Sequence, residues 1–248
     1  MKNILFTFAN MATTKIFLRK KISNRIANGH PWIYANEIGD EEGIYEPGDI
    51  VDVFSSNGSF IGKGYINPNS QIKIRLLSRN QDDIIDALFF KNRIQKAWEY
   101  RLKLGYDDNC RVVFGESDDL PGLIIDKVKD YFIIQTLSLG IEIWKQAIID
   151  AINEIFNPKG IYERNDVVVR ELEGLPLQKG CIGTPFETEL LLQENDLKFY
   201  VDIENGQKTG YFFDHKDNRN SIERVVKNAD VLDAFSYTGA FSIYAAKF

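Results

Sequence analysis

The first third of the chain alternates between apolar and polar positions. Short strands are predicted at Lys15–Leu18, Pro47–Phe54, Phe60–Ile66 and Ile72–Leu77. The dipeptide Asn57-Gly58, which lies between two of these strands, is a strong hairpin signal. The pattern therefore predicts a small β-barrel-like unit of about 65 residues.

A helical pattern follows this unit. Asp82-Asp83 offers an N-cap, and the chain reaches a stop signal at Gly105. Apolar residues recur between them at mostly four-residue spacing, at Ile84, Leu88, Ile94, Trp98 and Leu102. We expect an amphipathic helix of about 20 residues at a domain boundary, with Trp98 packed in the core.

Residues 111–205 combine strand patterns with one helical pattern. The helix is expected from Ile141 to Ile155 and ends near Pro158. Strands are expected at Arg111–Gly115, Leu123–Asp126, Tyr131–Leu137, Gly160–Glu163, Val167–Arg170, Leu190–Gln193 and Leu197–Ile203. This arrangement predicts a compact α+β domain.

The last residues change to a pattern typical of an α/β sheet. Asp217–Val226 is a predicted helix, Val231–Phe235 is a predicted buried strand, and Thr238–Phe248 begins a further helix. A single strand–turn–helix unit cannot bury its own apolar faces. We therefore expect the natural protein to continue beyond Phe248.

Composition narrows the class of protein. The chain has 248 residues, 44% of them hydrophobic, which excludes intrinsic disorder. Two cysteines are too few for a disulfide scaffold, and no apolar run reaches the roughly 18 residues of a membrane span. The apolar stretch near the start is too short for a signal peptide. We predict a cytoplasmic protein without membrane contact, whose start codon encodes either Met1 or Met11.

Charge is distributed unevenly. The net charge is −6, yet residues 1–36 contain six Lys or Arg side chains and no acid. The other 212 residues contain 24 basic and 36 acidic side chains, a net of −12. The basic segment indicates either a face for a polyanion or a solvated strand edge that limits aggregation.

Two segments near the end contain the most informative chemistry. Gly206–Arg219 reads GQKTGYFFDHKDNR, and Val231–Ser242 reads VLDAFSYTGAFS. A small-residue turn before a helix exposes backbone N–H groups suited to a carboxylate or to ribose hydroxyls. Neither G-x-G-x-x-G nor G-K-[ST] is present, which argues against NAD and P-loop sites. From the residues alone, both a nucleotide-like cofactor site and an ordinary β–α turn stay open.

Together these segments resemble the large-subunit ribosomal RNA cytosine-5 methyltransferase family of class I S-adenosylmethionine-dependent enzymes. That family has GQKTGxFxDxRDNR followed by VLDxFxYTGxFS, and here eleven residues separate Arg219 from Val231. HPWIY, PGDIVDV and GKGYINPNSQI resemble its PUA domain, and ESDDLPGLIID and IYERNDVVVR resemble its central domain. Lys216-Asp217 replaces the more usual Arg-Asp and keeps the charge.

The resemblance implies a fold and a division of the chain. The fold class is α+β multidomain, with an N-terminal PUA-like β-barrel, a central α+β domain and the start of a Rossmann-like α/β methyltransferase domain. The implied divisions are a PUA-like RNA-binding domain at 12–80, a linking helix at 81–110, a central domain at 111–205 and an incomplete methyltransferase domain at 206–248.

The resemblance also implies S-adenosyl-L-methionine as cofactor. Asp233 would meet its amino group, and Lys208 and Arg219 are candidates for its carboxylate. Phe212 would help to wall off the sulfonium, whereas Phe213 is expected in the core, and Asp214 is expected to orient Lys208 or Arg219. The implied cofactor-binding residues are Lys208, Thr209, Phe212, Arg219, Asp233, Ser236, Tyr237, Thr238 and Gly239.

No catalytic residue and no metal ligand is assigned. The family attacks cytosine C6 with a cysteine thiolate from later motifs, and neither Cys110 nor Cys181 matches those motifs. We therefore expect the chain as given to be inactive.

Ribosomal RNA is the implied partner, and a homodimer is left open. Basic side chains would contact phosphates and Trp32 would stack on bases, although core packing is the alternative for Trp32. The RNA-binding candidates are Arg19, Lys20, Lys21, Arg25, Trp32 and Lys63.

Three alternatives stay open: a non-enzymatic RNA-binding protein, an RNA methyltransferase of different base specificity on the same scaffold, and a nicotinamide-dependent enzyme.

Overall fold

A computed structural model describes residues 14–19, 24–106 and 108–248. The chain forms two compact units. The first contains the residues up to Ile85 together with Leu172–Gly174, and the second contains Asp86–Glu171 and Leu175–Phe248. The domain boundaries predicted at residues 110 and 205 both fall inside the second unit and stay predictions.

The first unit is built on one mixed sheet and a short helix, α1 (Asn24–Ala27). Its strands are β1 (Lys15–Leu18), β2 (Trp32–Ile33), β3 (Ile38–Glu42), β4 (Ile50–Phe54), β5 (Phe60–Ile66) and β6 (Ile74–Ser78). Their order is β2-β6-β5-β4-β1-β3, and β1 runs parallel to β4. Alternate apolar side chains face one core, including Ile16, Ile33, Val51, Ile66 and Ile74.

The second unit begins with α2 (Ala87–Lys103) and a five-stranded sheet. The sheet contains β7 (Asn109–Phe114), β8 (Leu123–Val128), β9 (Tyr131–Thr136), β10 (Gly160–Asn165) and β11 (Gln178–Ile182) in the order β11-β10-β9-β8-β7. Strands β9 and β10 are parallel, so a helical crossover of α3 (Leu139–Ile143) and α4 (Lys145–Phe156) joins them. This part confirms the expected α+β character.

The rest of the second unit is a hairpin and three helices. The hairpin consists of β12 (Glu189–Glu194) and β13 (Leu197–Asp202), and the helices are α5 (Lys216–Ser221), α6 (Glu223–Val226) and α7 (Ala240–Lys247). The inner face of the hairpin packs in one core with Tyr211, Phe213 and Tyr244. This core brings the 206–219 segment and α7 against the hairpin. The expectation that Phe213 is a core residue is confirmed.

Two predicted strands are wrong. Val231–Phe235 forms no strand, and Leu232 and Phe235 are exposed to solvent, at 91% and 103% of their reference areas. No described strand pairs with this segment, and an unpaired strand leaves its backbone groups without partners. Val167–Arg170 falls largely within a 3₁₀ helix, Val168–Glu173, and β11 pairs with β10 instead.

Helix α2 begins later than predicted. Asp86, not Asp82 or Asp83, caps it by accepting a hydrogen bond from the Phe89 amide at 2.8 Å. Trp98 is half-buried and packs edge-on against Phe156. No helix in the described part of the chain has the length and apolarity that a membrane crossing requires.

Candidate functional site

The segment Gly206–Gly210, here called the GQKTG loop, lies directly against the end of β13. A Cβ atom on Gly206 would lie 2.3 Å from the carbonyl oxygen of Asp202, and one on Gly210 would lie 2.8 Å from the same oxygen. Gly210 also has a φ of 101°, a conformation that L side chains rarely adopt. Both positions therefore require glycine, which explains two of the five residues of the motif.

The threonine of the loop turns inward. Thr209 is 1% exposed, and its Oγ1 donates to Oδ2 of Asp126 at 2.5 Å. Arg111 donates to both oxygens of the same carboxylate, at 2.8 and 2.9 Å. The loop is thus hydrogen-bonded to β8 by a buried side chain that does not face solvent.

Tyr237 connects the loop to the turn before α7. Its hydroxyl accepts a hydrogen bond from the Gln207 amide at 3.0 Å and donates to the Gly210 carbonyl at 3.1 Å. Lys208, Phe235 and Tyr237 have φ values of 53°, 62° and 52°. Non-glycine residues in this left-handed region are strained by about 1–3 kcal/mol each, and such strain is typical of functional loops.

Lys208 is the cation that the loop presents to solvent. Its Nζ lies 3.3 Å from an Asp214 oxygen and 4.3 Å from the centre of the Phe212 ring. Partial burial opposes ionisation of Asp214, but the charge of Lys208 and the hydrogen bonds outweigh it and hold the pKa of that carboxyl below its usual range. Both side chains are about half exposed, so the ammonium stays accessible. Of the two partners predicted for Asp214, Lys208 and Arg219, the structure shows contact with Lys208.

The ring beneath this cation, Phe212, belongs to a chain of four aromatic rings that contact one another. Phe212 lies 5.5 Å from Tyr237 and 6.0 Å from His215 between ring centres, and His215 lies 6.0 Å from Phe241. Phe212 and His215 are half-buried. An electron-rich aromatic surface of this kind favours cations, as the position of Lys208 over Phe212 shows.

Asp233 lies at the start of α7. Its Oδ2 accepts hydrogen bonds from the amide and the hydroxyl of Ser242, at 3.1 and 2.7 Å. Gly239, with a φ of 68°, directly precedes the helix, and its amide donates to the Ser236 carbonyl. Ser236 is exposed, and Thr238 is half-buried. This turn contains the other predicted cofactor residues.

Arg219 does not face this surface. It is 2% exposed, and its Nε and NH2 donate to the two carboxylate oxygens of Glu194 at 2.7 and 2.6 Å. Its guanidinium also lies 4.7 Å from the Tyr211 ring centre. Arg219 is a predicted candidate for binding a cofactor carboxylate, but its guanidinium is buried and already paired. It fixes α5 against the hairpin instead.

The structure thus brings most predicted cofactor residues together, around the GQKTG loop and the turn before α7. Sequence reasoning missed Asp126 and Glu194, which hold Thr209 and Arg219. The sequence does contain a sign that Asp126 has a special role, because this acid directly follows the apolar run Leu123–Ile125, where a charge is unfavourable unless it is paired. A shallow cleft of about 260 Å³ lies elsewhere on the second unit, and none of the predicted cofactor residues lines it; its lining residues are Asp217, Asn220, Ser221, Glu223 and Arg224.

The predicted RNA contacts of the first unit are more fully paired than expected. Arg25 donates to Glu37 at 2.8 Å, and its guanidinium lies 5.0 Å from the Tyr34 ring centre. Lys63 lies 3.7 Å from Asp52 and donates to two backbone carbonyls, those of Gln81 and Asp83. These pairs lower the charge that each cation offers to phosphate.

The remaining predicted RNA contacts differ in their surroundings. The Nε of Arg19 donates to the Ile38 carbonyl at 3.0 Å. Trp32 is half-buried and packs edge-on against His30. Lys20 and Lys21 lie outside the described residues. Arg79, which the sequence analysis did not select, is exposed and donates to the His30 and Ile61 carbonyls.

The two cysteines lie in sheet strands. Cys110 is 3% exposed in β7, and burial, reinforced by the charge of Asp126, raises the pKa of its thiol to about 12. Cys181 is half-buried in β11. A nucleophilic cysteine needs a thiolate, which the surroundings of Cys110 oppose.

Comparison with known proteins is consistent with this geometry. The family model of the PUA-like domain matches residues 16–79. Proteins named ribosomal RNA large subunit methyltransferase I, from Aliivibrio fischeri and Vibrio parahaemolyticus, are 38% and 40% identical to the chain over 239 residues. Each match covers 95% of this chain and 60% of the relative. The chain therefore spans about three fifths of the length of these relatives.

Two solved structures share the fold at 19% sequence identity. One, from Streptococcus mutans, is described as a candidate SAM-dependent methyltransferase and superposes with a TM-score of 0.72. The other, a candidate methyltransferase in complex with SAH, gives 0.73. They cover 94% and 95% of this chain and 60% of their own. Over nearly its whole length, the chain is thus similar in sequence to ribosomal RNA large subunit methyltransferases I and similar in fold to these two structures.

Proposed function

We propose that this chain contains the RNA-binding and cofactor-binding parts of a cytoplasmic S-adenosylmethionine-dependent methyltransferase that acts on C5 of a cytosine in large-subunit ribosomal RNA. The similarity to ribosomal RNA methyltransferases over 95% of the chain carries this proposal. It is supported by the GQKTG loop and the turn before α7, which lie together and are connected through the hydroxyl of Tyr237.

The exposed groups of the site fit the chemistry of this cofactor. When bound, S-adenosylmethionine would supply a methyl group activated by a sulfonium sulfur. The Lys208 ammonium complements a carboxylate, and the Asp233 carboxylate complements an amino group. The faces of Phe212 and Tyr237 stabilise a cation and exclude water from it. In this proposal Thr209 and Arg219 hold the site together and do not touch the ligand.

Methylation at C5 of cytosine needs a thiolate that adds to C6. We assign this role to neither cysteine of the chain. Cys110 is buried with a pKa of about 12, and Cys181 is half-buried in a sheet strand. The part of the reaction that we assign to this chain is therefore binding and positioning of RNA and cofactor.

Calorimetric titration of the 248-residue chain with S-adenosylhomocysteine tests the cofactor site. We expect binding of S-adenosylhomocysteine and no binding of NAD. The affinity should fall by roughly 10- to 100-fold in Lys208→Ala, because an ionic hydrogen bond contributes about 1.5–3 kcal/mol. Lys159→Ala, which removes an exposed lysine–aspartate pair with Asp130, is the matched control and should bind as wild type does. A chain that binds ribosomal RNA but not S-adenosylhomocysteine would support the non-enzymatic alternative.

The base specificity is tested in cells that carry the gene. Deleting the gene should remove one 5-methylcytidine from the large-subunit ribosomal RNA, as measured by mass spectrometry of nuclease fragments. Loss of a methylated guanine instead would support the alternative specificity on the same scaffold. An unchanged set of methylated nucleosides would contradict the proposal.

A further inference from the structure

The buried carboxylate of Asp126 holds the GQKTG loop from inside the second unit. Asp126 is 0% exposed in β8, at the end of an apolar run. Its Oδ1 accepts from Arg111 Nε at 2.8 Å. Its Oδ2 accepts from Arg111 NH2 at 2.9 Å and from Thr209 Oγ1 at 2.5 Å. Three donors from two different elements therefore meet on one buried acid.

This arrangement constrains the loop more strongly than packing alone. A buried carboxylate is unfavourable unless its oxygens are hydrogen-bonded, so displacement of Thr209 would leave a lone pair of Oδ2 without its donor. The threonine hydroxyl has a single proton, and the carboxylate fixes its direction. The loop can then move away from β8 only at the cost of this charge-assisted hydrogen bond.

The loop needs such a constraint. Lys208, next to Thr209, has a φ of 53°, and strained residues persist only where surrounding contacts hold them. The hydroxyl of Tyr237 holds the loop on one side, through the Gln207 amide and the Gly210 carbonyl. Thr209 holds it on the buried side, so the exposed Lys208 lies between two anchors.

We propose that Asp126 is a positioning residue of the cofactor site, which acts through the Thr209 hydroxyl to fix the GQKTG loop and thereby the Lys208 ammonium. The effect on ligand affinity rests on the proposed function, whereas the effect on the loop does not. Arg111 holds the Asp126 carboxylate in place for this role by donating to both of its oxygens.

The test uses the 248-residue chain with Thr209→Val, Thr209→Ser and Asp126→Asn. Thr209→Val keeps the shape and removes the hydroxyl, and Thr209→Ser restores it. Thr188→Val, which removes a threonine hydroxyl from the Glu204 carboxylate outside the loop, is the matched control. Hydrogen exchange monitored by mass spectrometry follows the Gly206, Gln207 and Gly210 amides, all of which are hydrogen-bonded. Calorimetry follows the affinity for S-adenosylhomocysteine.

In Thr209→Val we expect loop exchange to accelerate and the dissociation constant to rise, each by about tenfold. Asp126→Asn should accelerate loop exchange, Thr209→Ser should restore both values, and Thr188→Val should change neither. Loop exchange in Thr209→Val equal to that of wild type would overturn the proposal, as would a serine variant that fails to rescue. If wild type does not bind S-adenosylhomocysteine, the proposed function fails while loop exchange still decides the role of Asp126.

Discussion

At the scale of single residues, three arginines of the second unit stabilise the fold. Arg219 forms a two-pronged pair with Glu194, Arg111 with Asp126, and Arg101 with Asp118 at 3.0 and 2.6 Å. A planar guanidinium suits such buried pairs because its donors match both carboxylate oxygens. The exposed cation of the candidate site is a lysine, Lys208. The cation that this surface exposes is therefore a flexible point charge.

Sequence patterns identify the motif residues but not the direction in which each side chain points. Thr209 and Arg219 belong to the same fourteen-residue segment as Lys208, yet both turn into the core. Their partners, Asp126 and Glu194, are 83 and 25 residues away along the chain. Long-range pairs of this kind are fixed by tertiary packing, which a local pattern does not encode.

The first prediction concerns the reactivity of Cys110. With a pKa of about 12, only about one thiol in ten thousand is ionised at pH 8, so alkylation of Cys110 in the native chain should be slow. Its rate should rise about tenfold for each pH unit while the fold persists, because the thiolate is the reactive form. Peptide mass spectrometry after iodoacetamide treatment measures this rate.

Two comparisons control the cysteine experiment. Cys181, which is only half-buried, should be alkylated earlier, and both thiols should react at similar rates in urea. The raised pKa also makes the neutral thiol the form favoured by folding. The stability that the native state gains from the neutral Cys110 thiol is therefore complete below pH 9, the ordinary pKa of a thiol. It is lost as the pH rises toward about 12, the pKa in the folded chain. Rapid alkylation of native Cys110 at pH 7 would contradict the burial of its thiol in β7.

At the scale of elements, predictions from local periodicity succeed where burial follows the strand or helix period. Strand Lys15–Leu18 is found with its predicted bounds, and its buried side chains, Ile16 and Leu18, alternate with less buried ones. Val231–Phe235 has an equally apolar sequence but forms no strand, because a strand also requires a neighbour. The hydrophobic periodicity of a segment indicates which of its faces is buried, but not which strand or helix packs beside it.

The second prediction concerns the start of α2. Asp86→Ala should lower the free energy of unfolding by about 0.5–2 kcal/mol, because the Phe89 amide loses its capping acceptor. Asp82→Ala removes one of the two acids that the sequence pattern offered for this role and should change the free energy of unfolding by less than about 0.5 kcal/mol. Urea unfolding of both variants, followed by circular dichroism, distinguishes the two caps. A larger loss in Asp82→Ala would place the cap where the pattern predicted it.

At the scale of the whole molecule, the first unit is not one continuous stretch of sequence. It includes Leu172–Gly174, nearly 90 residues after Ile85. Glu173 from this segment is 3% exposed and accepts two hydrogen bonds from Arg75, at 2.8 and 3.1 Å. Ser70 and Asn67 donate to the same carboxylate, at 2.5 and 3.1 Å. The domain boundary predicted at residue 80 could not anticipate the contribution of Glu173. The periodicity of a strand contains no information about one carboxylate that is distant in the sequence.

The third prediction follows from this buried pair. Glu173→Ala leaves the Arg75 guanidinium, on β6, buried without its carboxylate, and removing one partner of a buried pair costs about 3–5 kcal/mol. Hydrogen exchange at β5 and β6 in the complete chain should accelerate accordingly, whereas Glu171→Ala, at an exposed neighbouring acid, should leave it unchanged. Glu173→Gln keeps the shape and part of the hydrogen bonding, so its effect should be intermediate. If β5 and β6 exchange at the wild-type rate in Glu173→Ala, the first unit does not depend on the segment Leu172–Gly174, and residues 14–85 alone would account for its stability.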